Sequence, residues 1–515
     1  MISSPVSTGV LGVNVCRSSD AGRNSTASHP LAIDNPEAIG RFARLLKEAG
    51  YPGGSMSELL GRELGRAHHR RDLPVFLRKV SSSPALETLI KLFAFQVGVE
   101  VEQAGAALGQ VGIETLIEPG LVGVQEGLVV PAVAISLCEG LFIAHDPASR
   151  DSTPLKESEH VLGINPPTLL LARLTARRNV EVALDLGTGC GIQALLCAAH
   201  CGKVIATDLN ARALNLAVFN AQLNGIKNVE FRLGSLFEPV AGEKFDLIVC
   251  NPPYVISPAS EFLFRDGGKS ADSFCEELIQ SIPSYLKEGG FASVLCNWAH
   301  YTQEHWAIPV RRWVEKSGCD AWLLHGFDHE PLSYAADWNR HRETRSYERI
   351  LQEWQVYYEK LGIRSISSGG VVLRLRSGSR NWTCEDELPE RVPNLNAEIA
   401  RVFEIQDFLA AKSDEDLLRY SFAASNSHRI VQTMNRGEND YLIEGMRLET
   451  TSGLPFHAAL DQHTLQLLRR MDGKRTLQES VDQLAESLGA DPSSCYPRGI
   501  EIVRGLLAHG VLTPC

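Results

Sequence analysis

The sequence reads Val182-Ala-Leu-Asp-Leu-Gly-Thr-Gly-Cys-Gly191 at the point that decides the fold, and two similar stretches follow it. These are Val204-Ile-Ala-Thr-Asp-Leu-Asn210 and Phe245-Asp-Leu-Ile-Val-Cys-Asn-Pro-Pro-Tyr254. Each is an apolar, partly β-branched run that ends in residues unsuited to a strand interior. That pattern is typical of buried parallel strands that present functional groups at their carboxyl ends. The sequence therefore predicts three strand ends that meet over one crevice.

The first strand end, Asp185–Gly191, has the composition of a ligand-binding turn. Its three alternate glycines let the backbone turn sharply and let a ligand approach without meeting a Cβ. A helix predicted over 192–200 would direct its positive amino terminus at the same point. A glycine-rich turn taken alone could equally open a nicotinamide site.

The second strand end narrows the choice of ligand. Asp208 ends the next predicted strand, where a carboxylate accepts hydrogen bonds from both hydroxyls of a ribose. The glycine spacing is G-x-G-x-G and lacks the G-x-x-G half that brings backbone close to a pyrophosphate. This spacing favours a nucleoside without a pyrophosphate, such as S-adenosylmethionine.

The third strand end, Asn251-Pro-Pro-Tyr254, predicts the chemistry. The Asn251 side-chain oxygen and the Pro252 carbonyl can each accept one N–H from a planar NH₂ group, while Tyr254 stacks on its plane. Such bonding would withdraw the nitrogen lone pair from conjugation and direct it at a sulfonium methyl group. The alternative is a plain turn, since Asn-Pro is common in turns.

Together the three motifs resemble the class I S-adenosylmethionine-dependent methyltransferases, in particular the "methyltransferase small domain" and HemK-like N-methyltransferase branch. The resemblance covers roughly residues 159–376. It implies an α/β fold with a doubly wound, seven-stranded Rossmann-like sheet, S-adenosyl-L-methionine as cofactor, and methyl transfer to a planar nitrogen of a macromolecule.

The motifs assign site residues by position, and no metal site is expected. The predicted catalytic residues are Asn251, Pro252, Pro253 and Tyr254. The predicted cofactor-binding residues are Asp185, Gly187, Thr188, Gly189, Gly191, Asp208, Leu209, Ser235, Leu236 and Asn251. Relatives usually carry an acidic residue where Ser235 stands, and a serine can accept one hydrogen bond there. The predicted substrate-binding residues are Tyr254, Asp266, Gly267, Gly268 and Trp298.

Two substrate classes remain open within this reaction. A protein glutamine amide, as in release factors or ribosomal proteins, is favoured by Asp266-Gly-Gly268 and by the net charge of −12, which argues against a whole-molecule grip on nucleic acid. An exocyclic base amine of rRNA or tRNA is favoured by basic residues between Arg62 and Lys79, and by Pro167 where release-factor enzymes carry an acid. A non-catalytic nucleotide-binding module or an NAD-dependent oxidoreductase is the alternative of another class.

The chain of 515 residues is long enough for several domains. We expect a disordered leader over 1–33, a winged-helix-like substrate-recognition domain over 34–150, the methyltransferase domain over 151–376, a linker over 377–393, and a mostly helical domain over 394–515. The last of these resembles small winged-helix peptide-binding domains over about fifty residues. No sequence feature predicts the oligomeric state.

The cysteine pattern and hydropathy predict the compartment. The twelve cysteines form no C-x-x-C pair and fall mostly in apolar segments, which predicts reduced thiols rather than disulfides or zinc. The first thirty residues lack the pattern of a signal peptide, and no run approaches eighteen apolar residues. These features predict a cytoplasmic protein without a membrane partner.

Overall fold

The computed structural model describes residues 31–51, 73–80, 83–147, 159–258, 270–340, 344–376, 381–437 and 440–515. Its helices are α1 Pro36–Glu48, α2 Leu73–Val80, α3 Pro84–Leu89, α4 Val101–Ile117, α5 Pro166–Arg173, α6 Ile192–Ala198, α7 Ala211–Leu223, α8 Ser273–Ser281, α9 Ala307–Val314, α10 Pro331–Asn339, α11 Thr344–Leu361, α12 Asn396–Ala411, α13 Asp414–Arg419, α14 Gln462–Leu468, α15 Leu477–Leu488 and α16 Pro492–Ala508.

The strands are β1 Val99–Glu100, β2 Val122–Gln125, β3 Leu128–Pro131, β4 Ala134–Cys138, β5 Leu141–His145, β6 Val180–Leu186, β7 Cys201–Asp208, β8 Val229–Leu233, β9 Phe245–Cys250, β10 Leu286–His300, β11 Cys319–His329, β12 Ser365–Leu375, β13 Thr383–Glu387, β14 Ser421–Ala424, β15 His428–Arg436, β16 Tyr441–Thr450, β17 His457–Ala459, β18 Asp472–Thr476 and β19 Leu512–Pro514.

The largest sheet has the order β13-β11-β12-β10-β9-β6-β7-β8. Strand β7 is parallel to β8 and β9 is parallel to β10, whereas β12 runs antiparallel to both β10 and β11. Helices alternate with the strands along the chain, which is the arrangement of a Rossmann-like α/β fold. The predicted fold class is therefore confirmed at this level.

Among the described residues the sheet has eight strands, where the sequence predicted seven. The additional strand is β13, which is parallel to β11 and lies in the segment predicted to be a linker. Its Asp386 accepts a hydrogen bond of 2.8 Å from Nε1 of Trp322, a residue buried in β11. Residues 377–393 are polar, and this composition predicted a linker. An edge strand pairs with only one neighbour and needs few apolar residues, so its composition can resemble that of a linker.

The described residues fall into two compact units. One lies within Met1–Asn165 and Leu184–Ala241, and the other within Pro166–Ala183, Gly242–Ser260 and Arg265–Cys515.

In the first unit, segments from both sides of the predicted domain boundary pack together. The amide of Asn220 on α7 donates to Ala144 O (2.9 Å) and accepts from Ala144 N (2.8 Å) in β5. The side chain of Asn215 bonds both the N–H and the carbonyl of Leu31, at 2.9 Å each. Residues 31–33 therefore belong to the folded unit, in contrast to the predicted leader ending at residue 33. An asparagine on a helix satisfies extended backbone in the way a neighbouring strand would.

In the second unit, α12 packs with the methyltransferase segment rather than opening a separate domain at residue 394. The amide of Asn396 donates to the carbonyls of Ala172 and Thr175, at 2.8 and 2.6 Å. The ring of Phe403 meets that of Phe291 in β10 edge to face, with centroids 5.0 Å apart. The sequence could not indicate this because the contacts join residues more than one hundred positions apart.

The remainder of the second unit shares an apolar core with Ile405 of α12, and it contains two three-stranded sheets, ordered β18-β14-β19 and β15-β16-β17. Helices α15 and α16 contribute Val481 and Val503 to that core. The winged-helix descriptions of this segment and of 34–150 remain predictions. In the described part of the chain, no helix is long and apolar enough to cross a membrane.

Candidate active site

The glycine turn after β6 has the conformation that only glycine adopts readily. Gly187 and Gly189 have φ values of +74° and +56°, and a Cβ placed at either would meet no atom within 4 Å. The N–H groups of Gly187 and Thr188 both donate to the carbonyl of Thr207 at 2.9 Å, which holds the turn against the end of β7. The space in front of this fixed turn is open, so a ligand can lie against its backbone.

The Asp185 carboxylate stabilises this turn by accepting hydrogen bonds. Its Oδ2 accepts hydrogen bonds from Thr188 Oγ1 (2.6 Å) and Ala194 N (2.9 Å), and the side chain is fully buried. Burial raises the pKa of Asp185 to about 7, because desolvation of the carboxylate outweighs the two hydrogen bonds. The structure thus gives Asp185 a supporting position inside the turn.

Asp208 lies at the end of β7 and faces the turn. Its Oδ2 accepts from Gly189 N and its Oδ1 from Asn210 N, both at 2.8 Å. Burial raises the pKa of Asp208, and the two amide bonds oppose that rise. Since each carboxylate oxygen can accept more than one hydrogen bond, Asp208 retains acceptor capacity for the hydroxyls of a ribose.

Apolar surface lies at the ends of β7 and β8. Leu209 is 57% exposed and Leu236 is 42% exposed, and Leu236 has a φ of +47°. Ser235 is half-buried beside Leu236, and Gly191 precedes α6 with a φ of +92°. Exposed leucines next to a carboxylate and a glycine cradle fit the apolar base and polar ribose of a nucleoside. The residues of this unit therefore fit S-adenosylmethionine.

In the second unit, Asn251-Pro-Pro-Tyr254 follows β9 directly. Cys250, the last residue of β9, is in register with Val294 of β10. The Asn251 Oδ1 atom is buried, and it has no hydrogen-bond partner among the residues that the structure describes. A buried acceptor without a partner is energetically costly, so this oxygen has unused capacity to accept a hydrogen bond.

Tyr254 packs by its ring against an apolar cluster centred on Trp354 and Tyr358, while part of its side chain stays accessible. Burial raises the pKa of Tyr254 further above its usual range, so the phenol is neutral at physiological pH. Its ring is therefore fixed in position and uncharged.

Two predicted substrate contacts have different outcomes. Asp266, Gly267 and Gly268 lie outside the described residues. Trp298 is 1% exposed, donates from Nε1 to the Trp306 carbonyl at 2.8 Å, and packs beside His325. The structure thus buries Trp298 instead of presenting it to a substrate, because β10 is an interior strand whose alternate residues point into the packed layers on each side.

No sequence motif predicted the residues that hold the loop after Tyr254. The Tyr334 hydroxyl accepts from Ile256 N (3.2 Å), and the Tyr358 hydroxyl donates to Ile256 O (2.9 Å). Both tyrosines lie in helices with ordinary amphipathic patterns, so no sequence signal distinguishes them from core aromatics. No group of three or more His, Cys, Asp or Glu side chains that could hold a metal occurs within the described ranges.

Comparison with known proteins agrees with this geometry. The family model described as "Methyltransferase small domain" matches residues 165–305. Two models described as domains of unknown function, DUF7059 and DUF7782, match residues 48–132 and 400–514.

Similar proteins include two curated relatives and one solved structure. The release factor glutamine methyltransferase of Aliivibrio fischeri is 45% identical over 202 residues, which cover 33% of this chain and 67% of the relative. That of Xylella fastidiosa (strain 9a5c) is 37% identical over 143 residues, covering 25% and 50%. A methyltransferase structure from Pyrococcus furiosus covers 46% of this chain and 90% of its own, at 18% identity and a TM-score of 0.28.

A Rossmann-like sheet whose strand ends carry a glycine turn, an acidic residue and Asn-Pro-Pro-Tyr defines a class I methyltransferase. The chain belongs to the methyltransferase small domain, HemK-like family of S-adenosylmethionine-dependent N-methyltransferases. It spans about half to two thirds of the length of the curated relatives it matches first.

Proposed function

We propose that this chain transfers a methyl group from S-adenosylmethionine to the side-chain amide nitrogen of a glutamine in a protein. The observation that carries the proposal is the buried Asn251 Oδ1 atom, which lacks a hydrogen-bond partner among the described residues. An acceptor of this kind suits one N–H of a primary amide. The curated relatives described above are named for glutamine methylation, which favours an amide over a base amine.

The roles of the individual residues are part of the proposal. Asn251 Oδ1 and the Pro252 carbonyl would hold the two N–H bonds of the amide, and Tyr254 would pack on its plane. Asp208 would accept from the ribose hydroxyls, and the turn around Gly187 and Gly189 would lie along the methionine portion. That the two motifs serve one reaction is inferred from their order along the chain, which resembles that of the family.

S-adenosylmethionine, when bound, supplies an electrophilic methyl group, whose bond to sulfur breaks as a bond to the amide nitrogen forms and the nitrogen releases a proton to water. Asn251 contributes by making the nitrogen more nucleophilic. Its acceptor oxygen strengthens its bond to N–H as positive charge develops on nitrogen, so it stabilises the transition state more than the ground state.

The test combines cofactor binding and acceptor identity. We expect S-adenosylhomocysteine to raise the melting temperature and NAD to leave it unchanged, since only a ligand of the native state stabilises it. We then expect labelled methyl groups to enter lysate protein from cells that lack the enzyme, in a form sensitive to protease and resistant to nuclease. Methylglutamine should be recovered from the digest.

The contrary outcomes separate the other functions. Nuclease-sensitive label would assign the activity to a nucleobase amine. Stabilisation by NAD alone would point to an oxidoreductase, and binding of S-adenosylhomocysteine without any transfer would point to a non-catalytic module.

A further inference from the structure

Helices α10 and α11 form an insertion between the antiparallel strands β11 and β12. The start of α10 is encoded locally, because Pro331 occupies the first turn and Glu330 caps the helix. The Glu330 carboxylate accepts from Leu332 N and Ser333 N, at 3.1 and 2.7 Å. The apolar faces of the two helices cover Val255 and Ile256, just beyond the Asn-Pro-Pro-Tyr motif.

Two hydroxyl groups from this insertion bind one peptide unit of the loop. The Tyr334 hydroxyl accepts from Ile256 N at 3.2 Å, and the Tyr358 hydroxyl donates to Ile256 O at 2.9 Å. The two rings are 1% and 2% exposed, so neither bond competes with bulk water. The backbone of Ile256 is therefore fixed in both directions.

A third contact connects this clamp to the sheet. Asn297, three residues from the end of β10, donates from its side-chain amide to the Tyr334 hydroxyl at 2.7 Å. Strand β10 also pairs with β9 up to Cys250, the residue before Asn251. The five residues 251–255 are therefore held at one end by the β9–β10 register and at the other by the tyrosine pair.

We propose that Tyr334 and Tyr358 are positioning residues that set the orientation of Asn251 and Tyr254 toward the acceptor amide. The inference rests on the proposed function, since it assigns a cause to the alignment of that site. Because the loop is short and held at both ends, a shift of one end also moves the residues in its middle. A small displacement of a catalytic hydrogen-bond acceptor can lower the reaction rate by a large factor.

The test removes only the hydroxyls. Tyr334→Phe, Tyr358→Phe and the double variant keep the rings that pack in the cluster. Tyr347→Phe on α11 is the matched control, because the structure gives its hydroxyl no hydrogen bond to any described residue. Each protein is assayed by the initial rate of labelled methyl incorporation into nuclease-treated lysate protein, at saturating S-adenosylmethionine and well below its melting temperature.

We expect the maximal rate per folded enzyme to fall at least tenfold in each single variant and further in the double variant. The dissociation constant for S-adenosylhomocysteine should stay within twofold of wild type, and Tyr347→Phe should match wild type in both measurements. Hydrogen exchange at the Ile256 amide should accelerate in Tyr334→Phe, which reports the loop without any assay of activity.

Other outcomes overturn the inference. A lower melting temperature with an unchanged rate per folded enzyme would show that the tyrosines only stabilise the fold, and would leave the proposed function in place. Equal loss of rate in the Tyr347→Phe control would also contradict it. Absence of transfer by the wild-type enzyme would instead remove the proposed function, and this inference with it.

Discussion

At the scale of single residues, Asn251 and Asp185 carry contrasting roles. The Asn251 oxygen is buried and has no partner among the described residues, whereas the buried Asp185 carboxylate accepts two hydrogen bonds through its Oδ2 atom. The first arrangement favours an incoming donor, and the second stabilises a turn. Substitutions at the two positions should therefore act on different measurable quantities.

Asn251→Ala should separate chemistry from cofactor binding. Turnover should fall by about 10² to 10³, the usual effect of deleting one preorganised polar group that acts in the transition state. Affinity for S-adenosylhomocysteine, measured by calorimetry, should remain near wild type. Undiminished methylation by this variant would remove Asn251 from the proposed catalytic role.

Asp185→Asn should change how stability depends on pH. The pKa of Asp185 is about 7 in the folded protein against an ordinary value of 3.8. A raised folded pKa means that the group's favourable contribution is complete below the unfolded pKa and is lost as pH rises toward 7. The asparagine retains an oxygen that accepts hydrogen bonds and cannot ionise.

Denaturant unfolding of Asp185→Asn and wild type should therefore show stabilities that diverge with pH. The free energy of unfolding of the variant should rise relative to that of wild type by roughly 1.4 kcal/mol per pH unit between about pH 4 and 7. Parallel profiles over that range would show that the carboxylate is not titrating within the turn.

At the scale of elements, a partly buried ion network joins β11, β12 and α12. Arg374 Nη2 is 2.6 Å from both Asp320 Oδ2 and Asp407 Oδ1, and Arg376 Nη2 donates to Asp320 Oδ1 at 3.0 Å. The Asp320 side chain is fully buried and that of Arg374 is 11% exposed. The network explains why α12 belongs to the sheet unit although the sequence placed it beyond a linker.

Asp320→Ala should lower the free energy of unfolding by about 2–3 kcal/mol, because it removes the fully buried carboxylate that Arg374 and Arg376 share and leaves both paired with Asp407. Denaturant unfolding measures the change. The control Glu501→Ala removes one side of an exposed pair with Arg498 and should leave stability essentially unaltered. A loss equal to that of the control would show that Arg374 is well solvated.

At the scale of the whole molecule, the limits of the methyltransferase body differ from the predicted limits. The sequence placed its end at residue 376, whereas β13 pairs with β11 and α12 packs on β10 through Phe403. Phe403 is completely buried on this helix and contacts both Phe291 and Trp382. A chain that stops at residue 376 would expose that apolar surface.

Truncation should reveal this difference. The full chain should show the rise in melting temperature caused by S-adenosylhomocysteine. A protein of residues 1–376 should lose the cooperative transition or aggregate, since its sheet lacks an edge strand and a covering helix. Equal ligand-induced stabilisation of both proteins would show that α12 is not part of the methyltransferase domain.

The sequence by itself determined the parts of the protein that are written in contiguous residues. The family, the α/β class and the positions of the glycine turn and Asn-Pro-Pro-Tyr follow from runs of ten residues or fewer. Such runs contain both the apolar residues of a strand and the glycines or prolines that follow its carboxyl end. The individual site roles remain predictions that the experiments above test.

Only the tertiary structure decided which distant residues meet. It buried Trp298, paired Ile256 with Tyr358 across 102 positions, and joined Asn396 to Ala172 across 224. Periodicity says that a side chain is buried or exposed, but not against what, because many amphipathic faces could cover the same strand. Side-chain hydrogen bonds over such separations are chosen by packing, which is why the tyrosine clamp and the extent of the sheet could not be predicted.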